Sequence, residues 1–261
     1  MKEIKRISIL GTGRVAHQLA TVLFEKGYEI DGIYGRSTEA ARKLADKVKS
    51  RVIENISLPI RSDLALVCVS DDAIGELSRK ISEKSDAIIA HTSGAVPMSE
   101  IPSSLKRAVF YPLQSFSIDK KVVWENVPFC IEAEDNNHLN ALGQLAESIS
   151  EKVFVLSSEQ RKTLHLAAVF ANNFANLMYE YSEELLMDAD IDRSILHPLI
   201  LETAHKVLLQ RASESRTGPA SRGDMETIKT HQKLLGENNS YREVYDLLTR
   251  EIYNRNHEQK L

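Results

Sequence analysis

The stretch ISILGTGRVAHQLA, Ile7 to Ala20, passes from an apolar run into a helical stripe through a turn with glycine at positions 11 and 13. Val15, Leu19, Val22 and Leu23 recur at helical spacing, and Gly27 closes the segment. A buried strand that turns directly into an amphipathic helix is the opening half of a βαβ unit, which commits the chain to a parallel sheet covered by helices. An ordinary turn needs at most one glycine. Two here, followed by the small Ala16, indicate that something approaches the backbone closely: the first permits the turn, the second clears the helix N-terminus for a diphosphate, and the small residue lets helix and strand pack. Thr12, Arg14 and Val15 complete the candidate nucleotide-binding turn with Gly11 and Gly13.

The same alternation continues downstream. Ile30–Tyr34 reads as a second strand, 38–49 as a helix, Arg51–Ile53 as a short strand, and the uninterrupted apolar DLALVCVSD as a central strand. DAIIAHTSG, RAVFYPLQS, FCIEA and VFVLS supply four more strands, with a helix over 136–150 before the last. From Ser157 onward the pattern turns to helices, roughly 158–188, 193–210, 225–235 and 241–254. The fold class is α/β, a doubly wound, mostly parallel sheet over residues 1–156, followed by an all-α domain over 157–261.

The second strand bears on the nucleotide. Dinucleotide folds that prefer NAD carry an acidic residue there for the ribose hydroxyls. This chain has IYGRST: Arg36 can grip a 2′-phosphate bidentately, Ser37 adds a hydroxyl and Gly35 leaves room. The expected cofactor is NADP(H); the competing possibility makes Arg36 a solvated charge and Asp31 a displaced ribose ligand. Ligands of doubly wound sheets sit beyond the carboxyl ends of the strands. Ser70, Asp71, His91, Thr92 and Ser93 fall at that edge, where Asp71 or Asp72 could equally cap the next helix.

In the helical half, steps of seven and four residues place His165, Asn172, Asn176 and Tyr179 within one stripe of TLHLAAVFANNFANLMYEY, with Asn173 beside it. Asparagines on an apolar helix either touch substrate and nicotinamide or bond to another helix or subunit. SRTGPASRGD forms a second cluster, in which Thr217, Gly218, Arg222 and Asp224 are candidate substrate contacts, Arg222 offering a fork for an anion and Asp224 also being a natural N-cap; a purely structural loop is the alternative.

A net charge of −4 with 43% hydrophobic residues gives no electrostatic pull toward nucleic acid or membrane. The apolar run near the N-terminus is too short for a signal peptide or membrane span, and Cys68 and Cys130 lie in apolar runs as buried thiols would. A cytoplasmic protein without a metal site is expected.

GxGxxA, the GRS-bearing second strand, HTSG, FYPLQSF and TGPASRGD together resemble the family of NADP-binding Rossmann proteins with a C-terminal domain of unknown function, commonly labelled deazaflavin-dependent NADP oxidoreductases. The resemblance spans the chain. Its first half is also similar to pyrroline-5-carboxylate reductase, ketopantoate reductase and the 3-hydroxyisobutyrate dehydrogenase group, and its second half to the helical domain of 6-phosphogluconate dehydrogenase. The resemblance implies NADP contacts at Gly11, Gly13, Arg36, Ser37 and Ser70, and a homodimer. One departure matters. Hydroxyacid dehydrogenases of this superfamily carry a helix lysine one turn before an asparagine as proton donor; here the positions one turn before Asn172, Asn173 and Asn176 are Ala168, Val169 and Asn172, and Lys162 lies too far back. Proton transfer would fall to His165 or His91, since imidazoles as a class titrate near neutrality. The sequence therefore points to hydride transfer between NADP(H) and a small acceptor (an imine, a keto acid or a deazaflavin) held between the two domains, or to a non-catalytic NADP sensor.

Overall fold

The computed structural model describes residues 3–118, 120–237 and 240–257. It divides into two compact units, 1–171 and 172–261. The first is built on an eight-stranded sheet of order β3-β2-β1-β4-β5-β6-β7-β8. Its strands are β1 (Arg6–Leu10), β2 (Glu29–Tyr34), β3 (Arg51–Val52), β4 (Leu64–Val67), β5 (Ile88–His91), β6 (Lys106–Pro112), β7 (Phe129–Ala133) and β8 (Val153–Val155). Among the described residues only the β6–β7 pairing is antiparallel. The expected doubly wound, mostly parallel architecture is present.

Helices α1 (Arg14–Glu25), α2 (Thr38–Lys47), α3 (Asp71–Lys80) and α4 (Asn136–Glu147) connect the strands. The core lies in two layers: Leu19, Leu23, Leu44, Phe110 and Leu142 belong to one cluster, and Leu10, Val67, Ile74, Leu77 and Ile89 to the other. Every residue of β4 is buried, which explains why its sequence shows no polar alternation. Cys68 and Cys130 are free and buried, and burial pushes their thiols up to about 12 and about 11.

The first unit does not end with the sheet at residue 156. It continues through α5 (Ser158–Ala168), because Arg161 on that helix is 1% exposed and is bonded into the sheet edge. Its guanidinium pairs with Glu132 of β7 and donates to the carbonyls of Ser93 (3.2 Å) and Val96 (2.6 Å). A buried charge needs such a set of partners, and none is apparent from the local pattern QRK.

The stretch 158–188, which reads from sequence as one α-helix, is interrupted by a π-helical segment, Val169–Phe174, before α6 (Ala175–Asp188). The wider turn adds a residue per turn and shifts the angular positions that follow. The single stripe expected for His165, Asn172, Asn176 and Tyr179 requires an unbroken 3.6-residue repeat and does not hold.

The second unit contains α6, α7 (His197–Leu209), the short α8 (Pro219–Arg222), α9 (Met225–Leu235) and α10 (Ser240–His257). Helix α10 is tied to α9 by His231–Tyr245 (2.9 Å) and Gln232–Asp246 (2.7 Å), and the Tyr181 and Tyr241 rings pack at 4.5 Å. Neither α6 nor α7 buries a single residue. No described helix is long and apolar enough to cross a membrane.

Candidate functional site

At the carboxyl edge of β1, β2, β4 and β5 lies a cavity of 820 Å³, a volume in the range of small-molecule sites. Each nucleotide-contact candidate from the sequence lines it: the turn Gly11–Val15, then Arg36 and Ser37 after β2, Ser70 and Asp71 after β4, and Thr92 and Ser93 after β5. They converge because parallel strands deliver all their exits to one edge.

The two glycines of the turn differ in what they answer. Gly11 has φ +141°, and a Cβ there would lie 2.0 Å from the Cys68 carbonyl oxygen, so the fold itself demands glycine. Gly13 caps α1 at φ −80°, and nothing stands within 4 Å of the place its Cβ would occupy. Neither its backbone nor a protein neighbour requires glycine there. What the missing side chain provides is open space in front of the first N–H groups of α1, whose first turn holds no acidic residue. That is the geometry of a diphosphate site, and the donors present fit the group.

Strand β2 and its exit contribute Tyr34, Gly35, Arg36 and Ser37 to the cavity. Asp31, the one carboxylate on that strand past its first residue, is 8% exposed and clamped between Arg6 and Arg51, the latter at 3.1 Å. Burial alone would raise its pKa, but the hydrogen bonds and charges of the two arginines outweigh burial and hold it below the usual carboxylate range. Asp31 does not line the cavity. Arg36 is exposed at the cavity wall, across from Glu76 and Lys80, which pair at 2.5 Å on α3 and carry no signal in the sequence as site residues. Gly35 is required because a Cβ would meet Thr12 Cγ2 at 2.7 Å. Ser37 caps α2 by accepting from Ala40 N at 3.2 Å, which leaves its hydroxyl proton to donate.

Ser70, rather than Asp71 or Asp72, is the N-cap of α3, and its hydroxyl makes no capping bond. At the next strand end, Ser93 Oγ accepts from the N–H groups of Ala95 and Val96 at 3.1 Å each and so shapes the loop after β5.

His91 departs from its expected role in proton transfer. It is fully buried, its Nδ1 accepts from Ser93 N at 3.2 Å, and it does not line the cavity. Burial first, then the Arg161 guanidinium, push its pKa down to about 3, against a weaker effect of the Pro97 carbonyl. A neutral imidazole sealed in the core cannot deliver a proton at neutral pH. It does leave a signature. Between pH 6.5 and about 3 the unfolded chain binds a proton that the folded chain refuses, so stability rises with pH across that window and is lost on acidification. His91→Gln should remove about 1 kcal/mol of the stability change between pH 6 and pH 5, measured by urea unfolding at both values; an unaltered acid limb would contradict the assignment.

His165 is half-buried on α5 with its Nδ1 3.4 Å from the Tyr111 hydroxyl. Asn172 and Asn173 lie in the π segment and Asn176 just after it, all three exposed. In the second unit, Thr217 precedes Gly218, whose φ is +99°, and Arg222 ends α8. Asp224 caps α9 by accepting from Thr227 N at 3.1 Å, as its position suggests. Asn256 donates to Ser221 and helps fix this loop against α10. Arg161 and Glu132 carry no signal as site residues in sequence, and Tyr111 and Gly94, although inside the FYPLQSF and HTSG motifs, are not singled out there, since each gains its meaning from partners far along the chain. Among the described residues no cluster of three or more His, Cys, Asp or Glu could hold a metal.

These features define a dinucleotide-binding α/β fold, and comparison with known proteins places it further. Residues 6–94 match the family model described as NADP oxidoreductase, coenzyme F420-dependent, and residues 127–252 match a domain of unknown function, DUF2520. The chain belongs to the family that joins these two domains. A crystal structure of a Bacteroides fragilis protein described as an NADP oxidoreductase shares 36% identity, with 97% of this chain and 98% of that one covered at a TM-score of 0.89. A Thermotoga maritima protein follows at 25% identity, 98% and 100% coverage and a TM-score of 0.72. An imine reductase from Myxococcus stipitatus, in complex with NADP+, shares the fold at 13% identity, 95% and 92% coverage and a TM-score of 0.68. No curated protein matches the sequence.

Proposed function

We propose that the protein is an NADP(H)-dependent oxidoreductase acting on a small acceptor with a reducible C=N or C=O bond, or on a deazaflavin. The observation that carries this reading is the empty space at Gly13 before the N-terminus of α1, within one cavity that also holds Arg36, Ser37 and the exits of β4 and β5. The α1 amides and Gly13 would hold the diphosphate, Arg36 and Ser37 the 2′-phosphate, and Ser70, Thr92 and Ser93 the nicotinamide half. When bound, the nicotinamide supplies the hydride. The chain contributes orientation, a polar edge and exclusion of a ribose-binding carboxylate. Asn172, Asn173 and Asn176, with Thr217, Gly218 and Arg222, are the candidates for acceptor contacts in the helical unit.

Steady-state oxidation of NADPH against a panel of cyclic imines, 2-keto acids and a deazaflavin tests the reading. Turnover with any of them supports it; tight NADPH binding without turnover would instead favour an NADP sensor, and absence of binding would remove both.

We further propose that the protein works as a homodimer through its helical unit. Helix α7 carries apolar residues on all sides and buries none, with Leu208 and Leu209 80% and 87% exposed. A helix of that kind is stable only when covered. The occupant we propose is a second copy of this chain, its exposed leucines packing against their equals. Sedimentation equilibrium should give twice the chain mass of 29.3 kDa, and Leu208→Glu with Leu209→Glu should give the monomer; a monomeric parent protein would refute the proposal.

A further inference from the structure

Gly94 is the point at which two aromatic side chains from different elements meet. A Cβ on it would stand 2.7 Å from His165 Nδ1, 2.7 Å from Tyr111 Cζ and 2.9 Å from Tyr111 Cε1. Tyr111 sits at the carboxyl end of β6, which runs parallel to β5, so it opens onto the same edge as the cavity. His165 lies one helical turn after Arg161, whose bonds to the Ser93 and Val96 carbonyls hold α5 against this loop. The phenol and imidazole are edge-on, centroids 6.3 Å apart, with the hydroxyl 3.4 Å from Nδ1, the long spacing that sites without bound substrate commonly show. Thr92 and Ser93, immediately before Gly94, line the cavity. Tyr111 and His165 are not themselves among the residues that line the cavity; the pair stands behind Thr92 and Ser93, which do, in a chain that lacks the helix lysine of hydroxyacid dehydrogenases.

We propose that Tyr111 is the proton donor to the acceptor and that His165 resupplies its proton. This rests on the oxidoreductase reading. As the hydride pair forms the new C–H bond, the π pair of the C=N or C=O bond moves onto the heteroatom, which takes the proton from the Tyr111 hydroxyl. The phenolate recovers a proton from His165 Nδ1, and the half-exposed imidazole is reprotonated from solvent. The sum consumes one NADPH, one acceptor and one proton, and yields NADP+ and the reduced acceptor.

The surroundings keep the phenol protonated and oppose release of its proton, so the geometry, not the acidity, carries the proposal. Burial, with smaller contributions from Cys130 on β7 and Asp71 on α3, pushes the Tyr111 phenol up to about 12, so it stays protonated at neutral pH. The Arg161 guanidinium acts in the other direction and favours the transient phenolate. Gly94 serves the pair by having no side chain. A merely structural ring at position 111 would be served equally by phenylalanine, and that difference makes the proposal testable.

Tyr111→Phe in the full chain keeps the ring and removes the hydroxyl. NADPH affinity, followed by nucleotide fluorescence, should stay within about twofold of the parent. Single-turnover reduction of 1-pyrroline and of a 2-keto acid should slow about a hundredfold with at least one of them, the usual scale for a lost general acid. In the protein without nucleotide, the ¹⁵N resonance of His165 Nδ1 should shift on loss of its partner. A Tyr111→Phe variant as fast as the parent, or an unmoved Nδ1 resonance, overturns the proposal and leaves the oxidoreductase reading standing. A parent protein that neither binds NADPH nor reduces any acceptor overturns both.

Discussion

Replacing Arg161 with methionine should destabilise the first unit by about 3–5 kcal/mol, the usual consequence of removing one member of a buried ion pair. The arginine is 1% exposed, and the Glu132 carboxylate it pairs with is 17% exposed. Without the guanidinium, Glu132 keeps only Ser158, whose backbone N–H and hydroxyl donate at 3.0 Å, and the carbonyls of Ser93 and Val96 lose their donor. Glu132→Gln should cost a comparable amount, because it leaves the arginine charge in place without its counter-ion. Arg161→Met with Glu132→Leu should recover much of the loss, since a pair replaced by apolar groups no longer carries the desolvation penalty of either ion. Urea unfolding of these proteins, with Glu132→Leu alone to close the cycle, gives the coupling. Single variants within about 0.5 kcal/mol of the parent would mean that the network contributes nothing beyond filling space. The functional corollary is that Arg161→Met should weaken nucleotide binding as well, because the loop it holds carries Thr92 and Ser93.

Much of the sheet is legible in the chain's own residues, and the reason is local. A buried parallel strand needs a run of apolar residues and an exit turn, and both are written in adjacent positions, as in LALVCVSD. The turn at Gly11 and Gly13 is legible for the same reason, and the β-strand exits then converge by topology alone. The acceptor side resists such a reading. Arg161 looks like a surface charge between Gln160 and Lys162 until Glu132, 29 residues earlier, is brought beside it. Tyr111 sits in a motif whose meaning depends on Gly94 and His165, and His91 looks like a site residue because a strand end exposes some side chains and buries others. The π segment at Val169–Phe174 carries no glycine or proline to announce it, so the 3.6-residue repeat reads straight through it. Helix α7 shows the opposite failure: its all-round apolar pattern predicts burial, and the single chain offers none.

On the proposed reading the choice between NADP(H) and NAD(H) turns on residues of β2 and its exit, and Arg36→Ala should expose it. Loss of a guanidinium that grips a phosphate through two hydrogen bonds should raise the dissociation constant for NADPH by well over tenfold, about 1.4 kcal/mol or more. The constant for NADH should barely change, because its ribose presents no phosphate to that position. Arg36→Lys should fall between, retaining charge without the planar fork. Asp31 sharpens the expectation: with Arg6 and Arg51 holding it away from the cavity, no β2 carboxylate remains to bond the ribose hydroxyls of NADH, so the parent protein itself should favour NADPH. Lys80 adds a second cation on the same wall, paired with Glu76, and should keep some preference for NADPH alive in the Arg36 variants. Isothermal titration with both coenzymes distinguishes the cases. Equal losses for NADPH and NADH would move Arg36 out of the phosphate site, and equal parent affinities would return the ribose end of the cavity to an open assignment.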